Sequence, residues 1–175
     1  MGMAATIRPE PDEFAPYYGT YVSAVPDGDI TRTLAQQGET FLARLKHLNA
    51  EQAAFAYAPG KWTVKEVVCH ITDAERIFAY RALRLARGDA TPLASFDENA
   101  YAASCGANDR PLETLLGEFA AVRAATLALL RWLPEAAWTR RGTASGKEVS
   151  VRALAWISTG HAAHHERVLT ERYGV

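Results

Sequence analysis

Residues 61–88, KWTVKEVVCHITDAERIFAYRALRLARG, decide how this chain is read. Thr63 followed three residues later by Glu66 is a capping box, in which each side chain satisfies the other's backbone N–H, and Gly88 supplies a stop. Between these marks Val64, Val67, Ile71, Ala74, Phe78 and Leu85 alternate by three and four. That is the seam of a helix packed at a shallow angle in a bundle. One residue fits the design poorly. At about 100° per residue, His70 stands about 40° from Ala74 and about 60° from Val67, so an imidazole faces inward at the border of an apolar seam.

Working outward, three more stretches share the helical period. Ile30, Leu34, Phe41, Leu45 and Leu48 predict a first helix over roughly residues 29–49. Pro111 suits a helix start, and Leu112, Leu115, Phe119, Val122, Leu129 and Leu133 carry a third helix after the 61–88 stretch. A fourth runs from about Ser150 to Tyr173 and is stopped by Gly174. Residues 89–109, DATPLASFDENAYAASCGAND, form a long connection with one short helix around FDENAYAAS, better suited to crossing a bundle end than to a tight hairpin. PEAAWTRRGTASGKEVS, residues 134–150, reads as a polar link, and no strand-like alternation of useful length is found. The expected fold is all-α, a four-helix bundle in a single domain of residues 1–175. Residues 1–28 form an irregular arm docked by the tyrosines of PYYGTYV.

Bulk properties exclude several functions. A formal net charge of -1 gives no electrostatic case for nucleic acid, which a basic stripe would signal. No apolar run approaches the roughly 20 residues that span a bilayer, and MGMAATIRPEPDEF lacks the basic and apolar regions of a secretory signal. Cys69 and Cys105 form no CxxC and suggest no disulfide framework, so a reducing cytoplasm is the expected location.

The remaining histidines cluster in GHAAHHE, residues 160–166. With His161 set at zero, Leu154 falls near about +20°, Ile157 about -40° and Val168 about -20°, which puts His161 in the middle of the buried stripe. His165 falls about +40° away and His164 about -60°, nearer the rim. Residues i and i+4 project one above the other, so two imidazoles can reach one ion, and a facing helix can bring a third. Burying two such rings without compensation costs a few kcal/mol, a cost that a shared cation removes. A core histidine satisfied by a hydrogen bond is the plainer reading of His70 taken alone. There is no HExxH, so a peptidase of that type is not supported.

The text resembles the DinB/YfiT-like family of bacterial metalloenzymes. The matching stretches are YAPGKWTVKEVVCHITDAERIFAYRALRLARGD, PLASFDENAY and GHAAHHERVLTERY, with PDEFAPYYGTYV near the start. The resemblance implies a divalent metal bound by His70, His161 and His165. It also implies an up-down-down-up bundle with a long crossover, and a homodimer. Characterised members of that family include S-transferases and isomerases that use low-molecular-weight thiols such as bacillithiol or mycothiol.

Three neutral imidazoles leave coordination positions open, the pattern of a catalytic rather than a structural metal. Zinc is the first expectation, and nickel, iron(II) and manganese accept the same ligands. Glu66 and Asp73, one turn either side of His70, are candidates to orient its free N–H, against a capping role for Glu66 and a solvated face for Asp73. Cys69 reads as a small buried filler and Cys105 as a loop thiol. Arg81 lies on the seam side, expected to snorkel to the bundle end, with an anion-holding role in a pocket as the alternative. Phe96, Asn99 and Tyr101 are candidates for a lid and pocket wall. The expected function is a metal-dependent enzyme acting on a small molecule, of the thiol S-transferase or hydrolase type. The alternative is a bundle that binds metal or ligand without turnover, as a stress-response accessory.

Overall fold

Three of the four long helices begin where a side chain takes up free backbone N–H groups, and the fourth begins at a proline. The computed structural model describes residues 3–175, so the first two residues of the expected arm lie outside the described residues. Thr63 Oγ1 accepts from Glu66 N at 3.1 Å and Glu66 Oε2 accepts from Thr63 N at 2.7 Å, closing the capping box that opens α4, Val64–Ala86. Asp29 caps Ile30–Leu45, and Ser150 caps Val151–Val168 by accepting from Ala153 N at 3.0 Å. Pro111 stands at the N-cap of Leu112–Arg131. With the short helices Gly19–Ser23, Ala50–Ala54 and Glu98–Ser104, the chain order is α1 (19–23), α2 (30–45), α3 (50–54), α4 (64–86), α5 (98–104), α6 (112–131) and α7 (151–168).

Three expected boundaries move, the third helix ending at Arg131 short of Leu133. The first helix stops at Leu45, because Asn49 opens α3 with its own capping box to Gln52. The fourth ends its α-helical part at Val168 and continues as a π-helical turn, Leu169–Tyr173. The polar link is also corrected, since it holds an antiparallel hairpin of β1, Arg141–Ala144, and β2, Lys147–Ser150, with Gly142 opposite Val149. Ser145 and Gly146, both at positive φ (54° and 72°), make the tight turn between them. Four residues per strand is too short for period-two alternation to stand out. The hairpin is stitched to the long connection, where Leu93 N donates to Thr143 O and Ser145 N to Leu93 O, both at 2.9 Å.

The protein is mainly helical, and the long helices meet in a defined way. Phe41 of α2 stacks on Phe119 of α6 while Leu34 O accepts from Arg123 further along, so these helices run in opposite senses. Lys65 reaches Arg110 O and Glu75 reaches Arg123, so α4 and α6 advance together. Gln37 donates to Thr159 O and Arg44 to Glu166 O, so α2 and α7 also advance together.

The interior holds two apolar clusters, one including Phe78, Leu85, Leu130, Leu154 and Trp156, the other Phe41, Val67, Ile71, Phe119 and Leu169. Along α7 the first cluster ends at Ile157 and the second resumes at Ala162. The segment between them carries His161.

The arm is tied into this frame by charge and ring contacts. Arg8 donates to Val22 O and Val25 O, both at 2.7 Å, and stacks over Trp156. Glu13, 1% exposed, accepts from Ser150 Oγ at 2.6 Å and from Arg152 Nε. α1 lies against α7 because Gly160 has no side chain: a Cβ there would sit 2.0 Å from the carbonyl oxygen of Tyr21.

Candidate metal centre

His70, in the second turn of α4, and His161 and His165, one turn apart on α7, converge on a single point. His70 Nε2 and His161 Nε2 are 2.9 Å apart, and the ring centroids of the three pairs lie 4.6 to 4.8 Å from one another. A nitrogen from each ring falls within 4.8 Å of the others. His70 and His161 are 4% and 6% exposed, and His165 is half-buried. No carboxylate is hydrogen-bonded to any of the three among the described residues.

Burial keeps all three rings neutral. It pushes His70 down to about 4 and His165 to about 3, with His70 and His164 adding to the effect at His165. It also pushes His161 well below the ordinary histidine range, where neighbouring imidazoles add repulsion. A neutral imidazole presents a lone pair, and at most one proton can lie between the facing Nε2 atoms of His70 and His161. Each neutral ring can turn one lone pair toward the shared point. That donor set fits a borderline divalent cation, whose ligation would use the lone pairs that otherwise face one another.

Aromatic residues wall the cluster. Trp62 packs on His70 with centroids 4.7 Å apart, and Tyr21 and Phe78 approach His161 edge-on at 5.5 and 5.8 Å. Two clefts open on it. One, of about 310 Å³, is lined by Trp62, Asn99, His164, His165 and Tyr173. The other, of about 650 Å³, is lined by Tyr18, Tyr21, Arg81, Phe96, Glu98 and His161. A larger apolar groove of about 860 Å³ along Leu42, Leu112 and Leu116 includes none of the histidines.

The other residues singled out from sequence divide. His164 lies outside the converging set, half-buried, with Nδ1 3.3 Å from Arg167 Nη2, and His47 is exposed. Glu66 is engaged in its cap and accepts from Asn108 Nδ2 at 3.0 Å. Asp73 accepts from Arg76 at 3.1 Å and from the Cys69 thiol at 3.9 Å. Cys69 is buried, and burial, with Cys105 and Asp73 beside it, pushes its thiol up to about 12. Phe96 lines the larger cleft and packs on Tyr101 at 5.3 Å, while Asn99 lines the smaller. Arg81 departs from its expected course: it is 3% exposed and does not snorkel. Sequence reasoning missed Gly160 and Tyr21, which close one side of the cluster; a glycine in the middle of an otherwise helical stretch was the available signal.

Three convergent neutral imidazoles, two of them buried, are an arrangement from which helical bundles commonly build metal sites. The profile of the DinB superfamily matches residues 33–169, and this chain belongs to that superfamily. A protein of Oceanobacillus iheyensis named "Putative metal-dependent hydrolase" is 28% identical over 149 residues, covering 79% of this chain and 85% of its own. A protein of the same description from Geobacillus thermodenitrificans is 28% identical over 125 residues, 70% of each chain. Among solved structures, YfiT from Bacillus subtilis, described as a probable metal-dependent hydrolase with an unusual four-helix bundle topology, superposes with a TM-score of 0.70 at 16% identity over 99% of both chains. A mycothiol-dependent maleylpyruvate isomerase superposes with a TM-score of 0.67 at 15% identity, over 83% of this chain and 61% of its own.

Proposed function

We propose that this protein is a metal-dependent enzyme acting on a small molecule, with His70, His161 and His165 holding one divalent ion. The observation that carries the reading is the approach of three neutral imidazole nitrogens to within 4.8 Å of one another. A divalent ion held by three neutral ligands supplies Lewis acidity at open positions, which lowers the pKa of a water or thiol bound there. Zinc is the first candidate, followed by nickel, iron(II) and manganese.

The chain's own residues set the limits of the chemistry. Cys69, pushed up to about 12 by burial, stays a thiol at neutral pH and is directed at Asp73 and Cys105, so it is not a nucleophile. The attacking group therefore comes from outside. Water would make the protein a hydrolase, as the names of its relatives suggest. A low-molecular-weight thiol would make it an S-transferase, which the mycothiol-dependent protein of the same fold motivates. Trp62, Tyr21 and Phe78 exclude bulk water around the rings and fix their tilt. The senses in which the helices advance support an up-down-down-up bundle with the 89–109 segment as crossover, forming one domain over residues 1–175. Assembly as a homodimer in the cytoplasm belongs to the same proposal. It is motivated by exposed aromatics such as Trp132 and Tyr80, and by the finding that no described helix is long and apolar enough to cross a membrane.

Elemental analysis of the purified protein tests the metal. The chemistry is tested by incubating zinc-loaded protein with bacillithiol, mycothiol, glutathione or coenzyme A and a chlorobimane, in parallel with a set of esters and amides. Turnover lost in His161→Ala is expected for one of the two arms. Stoichiometric metal with neither activity would favour a non-catalytic metal- or ligand-binding bundle.

A further inference from the structure

Arg81 is a buried cation without a counter-charge. Its Nη2 donates to Ala94 O at 2.7 Å and to Ser145 Oγ at 2.9 Å, and no other hydrogen bond or ion pair engages its guanidinium among the described residues. The two other most deeply placed arginines are neutralised: Arg123 lies 2.8 Å from Glu75, and Arg152 is paired with Glu13. A guanidinium 3% exposed and facing only neutral acceptors is expensive to keep unless something anionic completes it. Its position suggests what that is. Arg81 shares the cleft of about 650 Å³ with His161. It sits three residues beyond Phe78, whose ring touches His161, a rise of about 4.5 Å along α4. Nη2 is held by two segments at once, the long connection and the hairpin turn, so the fork is fixed in place before any ligand arrives.

We propose that this cleft binds the substrate and that Arg81 grips a carboxylate on it, so that the substrate is a small organic monoanion whose reacting group points to the His161 end. The inference rests on the metal-dependent reading above and adds the substrate class. Tyr18, Tyr21 and Phe96 give the cleft aromatic walls, which suit a carbon skeleton. Both phenols line the cleft, and a phenol O–H can donate a hydrogen bond to an anion there. A phosphate dianion suits the cleft less well. There is one guanidinium to meet it, while Asp97 and Glu98 stand on the rim, Asp97 already capping α5 through Asn99 N at 2.9 Å and Ala100 N at 3.1 Å.

Benzoate, its uncharged isostere benzamide and inorganic phosphate are titrated into metal-free and zinc-loaded protein, and the Arg81 Nε–H and Tyr21 signals are followed by NMR. Benzoate is expected to move both signals in both forms of the protein, to bind at least tenfold more tightly than benzamide, and to lose at least tenfold in Arg81→Gln at unchanged zinc content. Equal binding of benzoate and benzamide would overturn the proposal, as would shifts confined to the histidine rings or to the Trp62 side. Phosphate binding more tightly than benzoate would overturn the carboxylate assignment. If Arg81→Gln does not fold, the benzoate–benzamide contrast in the unaltered protein decides. Because the metal-free arm reads Arg81 without an ion, failure to bind zinc would strike the metal assignment and leave this test standing.

Discussion

Two polar layers cross the interior of this bundle, and they are built in opposite ways. In one, Arg123 Nε lies 2.9 and 3.0 Å from the two oxygens of Glu75, Nη1 donates to Leu34 O at 2.6 Å, and both side chains are almost completely buried. Acid meets base there and the two charges are paired. In the other, His70, His161 and His165 present like groups to one another with no opposite partner. A fold needs only the first kind of layer to fix which helix lies beside which. The second lowers stability wherever its rings are desolvated without compensation.

Breaking the paired layer is the largest effect expected. Glu75→Ala strands the Arg123 guanidinium and should cost about 3–5 kcal/mol, whereas replacing both members by apolar residues of similar volume should cost far less. Chemical denaturation of the three proteins checks this. In the histidine layer the effects fall on ligand binding. Alanine at His70, His161 or His165 should weaken zinc by at least about 100-fold, since even outer partners of metal ligands are worth 10–100-fold. His164→Ala should leave zinc content unchanged, and equal loss from all four substitutions would show the ligand set is wrong.

The histidine layer should also respond to acid. The folded value of His70 is depressed from 6.5 to about 4, so the unfolded chain takes up protons first. The stability of the metal-free protein should therefore fall as pH drops from about 6.5 toward 4, and zinc should be released in the same direction as imidazoles protonate. Thermal melts with and without zinc across that range measure both. A metal-free melting temperature flat over the range would show that the cluster is not desolvated. The smallest effect should come from the wall beside the cluster. In Gly160→Ala the new Cβ meets the backbone of Tyr21 and pushes α1 off α7, at about 1–3 kcal/mol. Zinc affinity should then change while the Glu75 layer keeps its hydrogen-exchange protection.

Much of this was legible in residue spacing. Thr63 with Glu66, Pro111 and the seam of α4 mark helix starts because caps and periodicity are local. His161 and His165 could be aligned because they share one helix, and His70 could be turned inward on its own. What spacing does not carry is pairing between elements. Nothing in the sequence says that Glu75 meets Arg123, 48 residues later on another helix. Nor does it say that Arg81 is held by the turn of a hairpin whose strands are four residues long. The early end of the first helix was readable in principle, from Asn49 and Gln52. Gly160 announces only that something comes close, and Tyr21 becomes visible as that neighbour only in three dimensions.

The clasp between Glu13 and Arg152 joins residues 139 positions apart, and Tyr21 waits equally long for His161. At a synthesis rate of roughly 5–20 residues per second, the arm is made about 7–30 s before its docking helix exists. Tyr21 has no His161 to meet through that interval, and contacts so distant in sequence close slowly once they can form. The tyrosine side of the histidine cluster is thus made well before the two histidines of α7 that it covers.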